Sequence, residues 1–363
     1  MRIARLGLKN YRNCEDVLLE FSHQKTLIIG KNAQGKTNIL ESIYLLSDLK
    51  SPRTATLTDL IKFNTNSLEI NADIIKNNTN IEIDYSYDQE KKRILKINKV
   101  KSNAKDFKLC VKTVLFSTKD LLLLRGTPQD RRDWLDRAIS QIYPAYDERL
   151  SKYDKIRIQK NNLLKSEYID ESLLDVYNEQ LTIAGANIIF LRKKFLQEIE
   201  VIAGEKHKII SNAETLSLNY SCPESEIDAI SNYLQQELVK RRSEEIGRKQ
   251  SCVGPHRDDI ELKINGIDAV KFASQGQQRT LVLALKLGEL DIIKKKTGYS
   301  PILLLDDVLA ELDEIRQNYL LKSIENGIQT IITSVDTILF EKEFLKDVQI
   351  YSIENGSVKI NSQ

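Results

Sequence analysis

The chain has 363 residues, 41% hydrophobic and 29% charged, which is enough for two lobes around buried cores and excludes a disordered polyelectrolyte. Its 54 Lys and Arg face 52 Asp and Glu, a net charge of +2, so affinity for a polyanion has to come from local clustering of charge. The cysteines Cys14, Cys110, Cys222 and Cys252 form no CxxC pair, and neither a secretion signal nor an uninterrupted run of about 18 apolar residues is present, so reduced thiols, a cytoplasmic location and no membrane partner are expected.

From residue 1 to about 115 strands dominate. RIARLGLKNY and LLLEFS alternate apolar and polar positions, the period of a half-buried strand, and TLIIG is a short apolar run of the buried kind. That run leads into Gly30-Lys31-Asn32-Ala33-Gln34-Gly35-Lys36-Thr37, which fits GxxxxGK[ST], with Asn38 opening the helix NILESIYLL. Strand, glycine loop and helix in that order make a phosphate cradle, because glycines let the chain curl until its amides and the helix N-terminus face phosphate oxygens. Lys36 then reaches the β and γ phosphates of ATP, and Thr37 ligates Mg2+.

Further on, residues 91–112 carry nine Lys or Arg and one acid, Asp106, the densest basic run of the chain. Lys91, Lys92, Arg93, Lys96, Lys99 and Lys101, interleaved with Ile94, Leu95, Ile97 and Val100, are the candidates for following DNA phosphates along a sheet face or hairpin. Lysines that guard a sheet edge against aggregation account for the same pattern. Between 131 and about 210 the spacing turns helical, with Pro144 starting or kinking one helix. Arg192-Lys193-Lys194 and Lys240-Arg241-Arg242 are secondary basic patches, equally readable as helix surface.

Strands return from about 252, where DIELKING ends in the hairpin dipeptide Asn265-Gly266. Ser274 and Gly276, followed by Gln277, stand at the start of the apolar helix TLVLALKLGEL, a second helix N-terminus suited to an anion. Pro301 to Asp307, PILLLDD, is a buried strand delivering two acids at its carboxyl end: Asp306 for Mg2+, and Asp307 to position the attacking water. Two phosphate-facing helix starts, near 37 and near 277, are more than one nucleotide readily uses within a single chain. His256 and Arg257, before Asp258, read equally as a local ion-pair cluster or as part of a site.

Taken together, GKNAQGKT, SQGQQR, LLLDDVLAELD and TIITS, in that order, resemble the ABC/SMC head ATPases. The match extends to landmarks that resemble the RecF family of bacterial recombination and repair proteins: Tyr11-Arg12-Asn13, Gly126-Thr127-Pro128 with Arg131-Arg132-Asp133-Trp134-Leu135-Asp136, Gln159-Lys160-Asn161, and Gly254-Pro255-His256-Arg257-Asp258-Asp259. The architecture expected is an α/β, ABC/SMC-like ATPase head, a split P-loop mixed sheet built from 1–128 and 252–363, with a helical lobe, 129–251, inserted. The resemblance implies that Arg12 and Asn13 lie near the nucleotide, that Ser274, Gly276 and Gln277 meet the γ-phosphate of ATP held by a second copy, and that Asp313 falls in a loop crossing that dimer. It further implies a weak, DNA-stimulated ATPase acting as an ATP-dependent homodimer on double-stranded and gapped DNA, cooperating with RecR and RecO to load RecA. Asp307 replaces the usual Glu, Ser334 and Asp336 stand where a histidine is usual, and no glutamine occurs between Leu115 and Asp120, so slow hydrolysis is expected. The alternatives are a transporter nucleotide-binding subunit and a partner-docking scaffold with a vestigial ATPase.

Overall fold

A computed structural model describes residues 1–90, 92–324 and 327–360. The chain divides into two compact units, Met1–Asp120 with Lys286–Gln363, and Leu121–Leu285. In chain order the first segment supplies β1 (Arg2–Tyr11), β2 (Cys14–Glu20), β3 (Lys25–Ile29), α1 (Lys36–Asp48), β4 (Ser67–Lys76), β5 (Thr79–Asp88), β6 (Lys92–Ile97), β7 (Val100–Lys101) and β8 (Thr113–Ser117). The second unit holds α2 (Pro128–Ile142), α3 (Tyr146–Lys165), α4 (Glu171–Ser211), β9 (Leu216–Tyr220), α5 (Ile227–Lys240), β10 (Ile260–Ile264) and β11 (Ile267–Asp268). The boundary between units falls inside α6 (Gln275–Thr297), after which come β12 (Ile302–Asp306), α7 (Glu314–Ser323), β13 (Thr330–Ser334), β14 (Val348–Glu354) and β15 (Ser357–Ile360). Among the described residues no helix is long and apolar enough to cross a membrane, and all four cysteines are buried free thiols.

The first unit contains two sheets. One is antiparallel, in the order β2-β1-β4-β5-β6-β7; the other runs β15-β14-β3-β13-β12-β8 and is parallel apart from β15. Helix α1 is buried on nearly every side, its apolar residues joined there by Glu41, Ser42, Ser47 and Asp48. Its Ile39, Leu40, Ile43, Leu45 and Leu46 share one core with Leu6, Leu8 and Ile70 of the antiparallel sheet and with Ile28, Leu304 and Ile331 of the parallel one. The α/β architecture with a mixed P-loop sheet expected from the sequence is therefore present.

In the second unit Thr127 and Asp130 close a capping box ahead of Pro128, and Pro144 sits between α2 and α3, where its missing amide costs nothing. Strand β10 pairs with β9 and turns into β11 through Asn265 (φ 51°) and Gly266 (φ 77°), two left-handed residues as a tight hairpin requires. That pairing keeps residues 252–285 with the helical unit, whereas the sequence pattern returns to the first lobe at about 252.

The segment Gly254 to Asp259 is explained residue by residue by its partners. Gly254, at φ 122°, lies where a Cβ would stand 2.2 Å from the Tyr153 hydroxyl oxygen. Tyr153 hydrogen-bonds His256 Nδ1 at 2.7 Å, and the carbonyl of Pro255 accepts from Arg192 Nη1 at 2.6 Å. The carbonyl of Asp258 accepts from Arg132 at 2.6 Å, its carboxylate accepts from Tyr220 at 2.8 Å, and Asp259 takes both arms of Arg131 at 2.7 and 2.8 Å. Arg192 is a correction to the surface reading of Arg192-Lys193-Lys194. It is 2% exposed and grips Asp136 through two 2.8 Å bonds, because it falls on the same stripe of α4 as Ile188, Ile189, Phe195 and Leu196. Lys193 Nζ donates to the carbonyls of Cys222 (2.7 Å) and Glu224 (2.6 Å). Lys240-Arg241-Arg242 does lie at the surface, paired with Glu237 and Asp175.

Replacing Gly254 by Ala imposes a left-handed backbone on an L-residue and an overlap with Tyr153. Denaturant titration is expected to show a loss of about 2 kcal/mol or more, against little change for Gly266→Ala beyond its own backbone strain, since that site is open.

Candidate functional site

Strand β13 lies between β3 and β12, and the pairing sets Ser334 beside Ile29 and Asp306 beside Thr333. The carboxyl ends of three strands therefore meet along one edge, the place where open α/β sheets bind ligands. Off β3 the loop turns through Ala33 (φ 65°) and Gly35 (φ 114°), and Gly35 caps α1. Its glycines are required by close approach: a Cβ on Gly30 would stand 2.5 Å from the Ile353 carbonyl, and one on Gly35 2.7 Å from Asn13 Oδ1.

Asn13 is a brace for this loop. Its amide donates to the Gln34 carbonyl at 2.9 Å and its oxygen accepts from Asn38 at 2.7 Å. A second brace comes from the turn between β14 and β15, where Asn355 and Gly356 donate their amides to Gln34 Oε1 (2.6 Å) and to the Gln34 carbonyl (2.9 Å). No motif marks that turn, although Asn355-Gly356 between two alternating runs is a hairpin signal. Lys31, Asn32 and Ala33 form the exposed crest of the loop.

Lys36 is buried, its ammonium donating to the carbonyls of Gly30 (2.7 Å) and Lys31 (3.3 Å) and lying 3.9 Å from the Asp307 carboxylate. Thr37 Oγ1 donates to Asp306 Oδ1 at 2.9 Å, and the same oxygen lies 3.0 Å from Thr333 Oγ1. Burial raises the Asp306 pKa, the hydroxyls of Thr37 and Thr333 pull it down, and Asp307 adds to the rise. A hydroxyl and a carboxylate oxygen converging on one point are the hard donors that Mg2+ prefers, so this pair fits that ion. Asp306 and Asp307 point apart, but strand alternation is not the cause. Asp307 is at φ 51°, past the end of β12, its amide held by Thr333 Oγ1 at 2.9 Å, and this left-handed turn aims its side chain at Lys36.

Arg12, also at φ 52°, sends its guanidinium to Glu41 at 2.7 and 3.0 Å and to the Asp59 carbonyl at 2.7 Å. Burial works against its charge, but the bonds to Glu41 outweigh it and the pKa is raised. Beside it Arg53, which no motif indicated, donates to Asn38 at 2.7 Å and pairs with Glu41 at 3.4 Å while staying 39% exposed. Arg12 is thus the tethered arginine and Arg53 the more accessible one. Where a glutamine is missing, Asp120 accepts from the Ser117 amide at 2.6 Å and pairs with Lys286 at 3.3 Å.

In the second unit Ser274 and Gln277 form a capping box at the start of α6: the Gln277 amide donates to Ser274 Oγ (3.2 Å) and the Ser274 amide to Gln277 Oε1 (2.9 Å). The Gln277 amide group also donates to Glu214 at 2.7 Å, and the Gly276 carbonyl accepts from Thr280 at 3.0 Å. Asp313 caps α7 through the Arg316 amide at 3.0 Å and keeps half its side chain exposed. Ser334 is buried, its carbonyl accepting from the Gly30 amide at 3.3 Å, while the Asp336 carboxylate accepts from the Ile338 amide at 2.9 Å.

The basic run forms β6, a turn at Asn98-Lys99 and β7, at one end of the antiparallel sheet. Lys91 and the side chain of Lys92 lie outside the described residues. Lys96 and Lys101 are exposed and sit directly opposite each other, while Lys99 pairs loosely with Glu82 at 3.9 Å. Arg93 shares its strand face with buried Leu95 and donates to the Leu49 carbonyl at 3.2 Å, so it does not join that stripe.

The family described as RecF/RecN/SMC N terminal domain matches residues 2–359. The DNA replication and repair protein RecF of Streptococcus gordonii is 42% identical over 99% of this chain and 100% of its own length. A solved structure of the recombination mediator protein RecF-ATP in the RecFOR pathway superposes with a TM-score of 0.91 at 34% identity, covering 99% of this chain and 97% of that one. An Smc head bound to the C-winged helix domain of ScpA shares the fold, with a TM-score of 0.57 at 15% identity over 100% of this chain and 98% of that one.

Asp306→Asn relieves a buried charge and keeps an oxygen for Thr37 and Thr333. Thermal melting is expected to show the variant at least as stable as the parent without nucleotide, and to lose the stabilisation that ATP with Mg2+ gives the parent. A variant stabilised by ATP and Mg2+ as much as the parent would remove Asp306 from the site.

Proposed function

The chain belongs to the RecF family of the RecF/RecN/SMC class, and on that premise we propose that it is an ATP-switched DNA-binding protein of replication and repair. The loop amides and Lys36 hold the β and γ phosphates, Thr37 and Asp306 hold Mg2+, and Asp307 orients the attacking water. Mg2+ supplies charge neutralisation at the phosphates. The observation that carries this reading is the 2.9 Å contact between Thr37 and Asp306 on the carboxyl edge of the parallel sheet. The relative solved with ATP supports the choice of nucleotide.

Ser274, Gly276 and Gln277 cap the γ-phosphate held by a second copy, so ATP and dimerisation are linked, and Asp313 faces the same interface. The capped start of α6 supports this reading: a helix N-terminus carries the positive end of the helix dipole, which suits an anion, and residues 121–285 form a compact unit separate from the phosphate loop's. Asn13 acts on the nucleotide site by bracing the loop through Gln34 and Asn38, and Arg12 by holding Glu41 of the helix that follows it. Hydrolysis is slow, since Asp307 is a short carboxylate already facing Lys36, and DNA stimulation is part of the same family-based reading.

The dimer closes on double-stranded DNA near single-strand gaps and, in the cytoplasm, works with RecR and RecO to load RecA, as the RecFOR pathway named for the solved relative suggests. Lys96, Lys99 and Lys101 contact phosphates. Like charges directly opposite on paired strands repel, which a bound polyanion relieves.

Sedimentation over a range of protein concentrations tests the switch. ATP with Mg2+ shifts the parent to a dimer, Ser274→Arg stays monomeric while still binding ATP, and Lys36→Ala loses both; a Ser274→Arg protein that dimerises normally sinks the composite site. For DNA, Lys96→Glu with Lys101→Glu is expected to weaken duplex binding whatever the sequence and to lower the slope of log K against log salt by about 2, roughly 0.9 per phosphate contact. An unchanged slope removes the hairpin from the interface.

A further inference from the structure

The second unit contains a cavity of about 330 Å3 walled by α2, α3, α4 and the loop from Gly254 to Asp259, with no residue of either nucleotide motif in its lining. Four arginines and two aspartates line it. Two of the arginines are neutralised inside the wall, Arg192 by Asp136 at 2.8 Å and Arg157 by Asp154 at 3.0 Å. The other two are not.

Arg132 donates to the Asp258 carbonyl and to Gln129 Oε1 (2.8 Å), and Arg257 donates to the Ser251 carbonyl at 3.2 and 3.3 Å. These acceptors are uncharged, and neither guanidinium has a carboxylate within ion-pair distance among the described residues. Arg132 is only 9% exposed, and its Nε has no acceptor among the described residues. A buried guanidinium without a contact ion pair is costly: burial together with neighbouring Arg192 holds its pKa below the usual value, and Asp259 and Asp133 favour its charge only at longer range.

His256 does not change this balance. Burial pushes its pKa down to about 3, so the ring is neutral; with Nε2 facing the Ser251 carbonyl at 3.2 Å, that nitrogen carries the hydrogen and Nδ1 accepts from Tyr153. The wall therefore presents two guanidiniums outside any ion pair to one concave space, with the Asp258 carboxylate acting on Arg132 only at longer range. A phosphate group, free or esterified, carries at least one full negative charge and turns its unesterified oxygens toward both forks at once, the multidentate recognition that guanidiniums favour.

We propose that this cavity is an oxyanion site for a phosphate group, with Arg132 and Arg257 as its ligating side chains, the phosphate coming from free inorganic phosphate or from the backbone of bound DNA. Arg192, fully committed to Asp136, Pro255 and Tyr220, positions the loop that carries Arg257.

Two measurements on the full chain test it. Crystals soaked in tungstate are expected to show an anomalous peak within hydrogen-bonding distance of Arg132 and Arg257. Calorimetric titration of inorganic phosphate into a Lys36→Ala background, which disables the phosphate loop, is expected to show binding that Arg257→Gln weakens about tenfold or more, the effect of one charge-assisted hydrogen bond. Arg257 is exposed, so this variant is expected to keep the parent's melting temperature. If Arg257→Gln also weakens duplex DNA binding and lowers its salt slope by about 1, the phosphate belongs to DNA; if DNA binding is unchanged while phosphate binding falls, the ligand is free phosphate. Absence of tungstate from the cavity, or phosphate affinity within about twofold of the parent in Arg257→Gln, overturns the proposal.

Discussion

A strand inserted between two others sets the geometry of the candidate site. Because β13 pairs in parallel with both β3 and β12, the end of the phosphate-loop strand and the end of the acidic strand are fixed one strand apart, and Thr37 meets Asp306 across 269 residues of chain. Thr333, on the intervening strand, holds both acids: its hydroxyl lies against Asp306 and accepts from the Asp307 amide. A shift of β13 by one residue would turn Thr333 away from both, since side chains alternate across a strand. The buried packing of Ile331 and Ile332 against their neighbours opposes that shift.

The loop above this edge is held from outside as well. Asn13, from the turn after β1, and Asn355-Gly356, from the final hairpin, both bind Gln34, so segments near the two ends of the chain brace the same five or so residues. Preorganisation of that kind lowers the entropy lost on binding, here of a phosphate in the proposed site. It also explains why the β1–β2 turn and the carboxyl-terminal hairpin matter to a site whose motifs lie elsewhere.

The second unit relies on buried charge to a degree its apolar pattern hides. Arg131, Arg192 and Lys160 each hold a carboxylate, and Lys160 pairs with Glu245 at 2.6 Å with both side chains almost fully buried. Such pairs add little net stability over apolar replacements, while removing one partner costs about 3–5 kcal/mol. They restrict which neighbours fit: a loop carrying Pro255, Asp258 and Asp259 docks only where three arginines await it. In the proposed switch, this rigidity keeps the capped start of α6 at a fixed geometry while a partner's ATP comes and goes.

Local patterns alone located the glycine loop between strand and helix, the acidic strand, the capped helix at Ser274 and the strand–helix–strand order of the chain, because each depends on neighbouring residues obeying one backbone geometry. Asn265-Gly266 is read from two letters for the same reason. The fate of individual charges depended on tertiary structure. Arg192 and Lys194 belong to one basic triplet, yet helix rotation sends Arg192 into the core. Arg12 carries the motif but is tied to Glu41, and unmarked Arg53 stands beside it. Lys96 and Arg93 come from one basic run, yet strand alternation puts them on opposite faces. A charged residue's role is set by which long-range partner closes on it, and that partner is chosen by packing across tens or hundreds of residues, where periodicity in the chain carries no information.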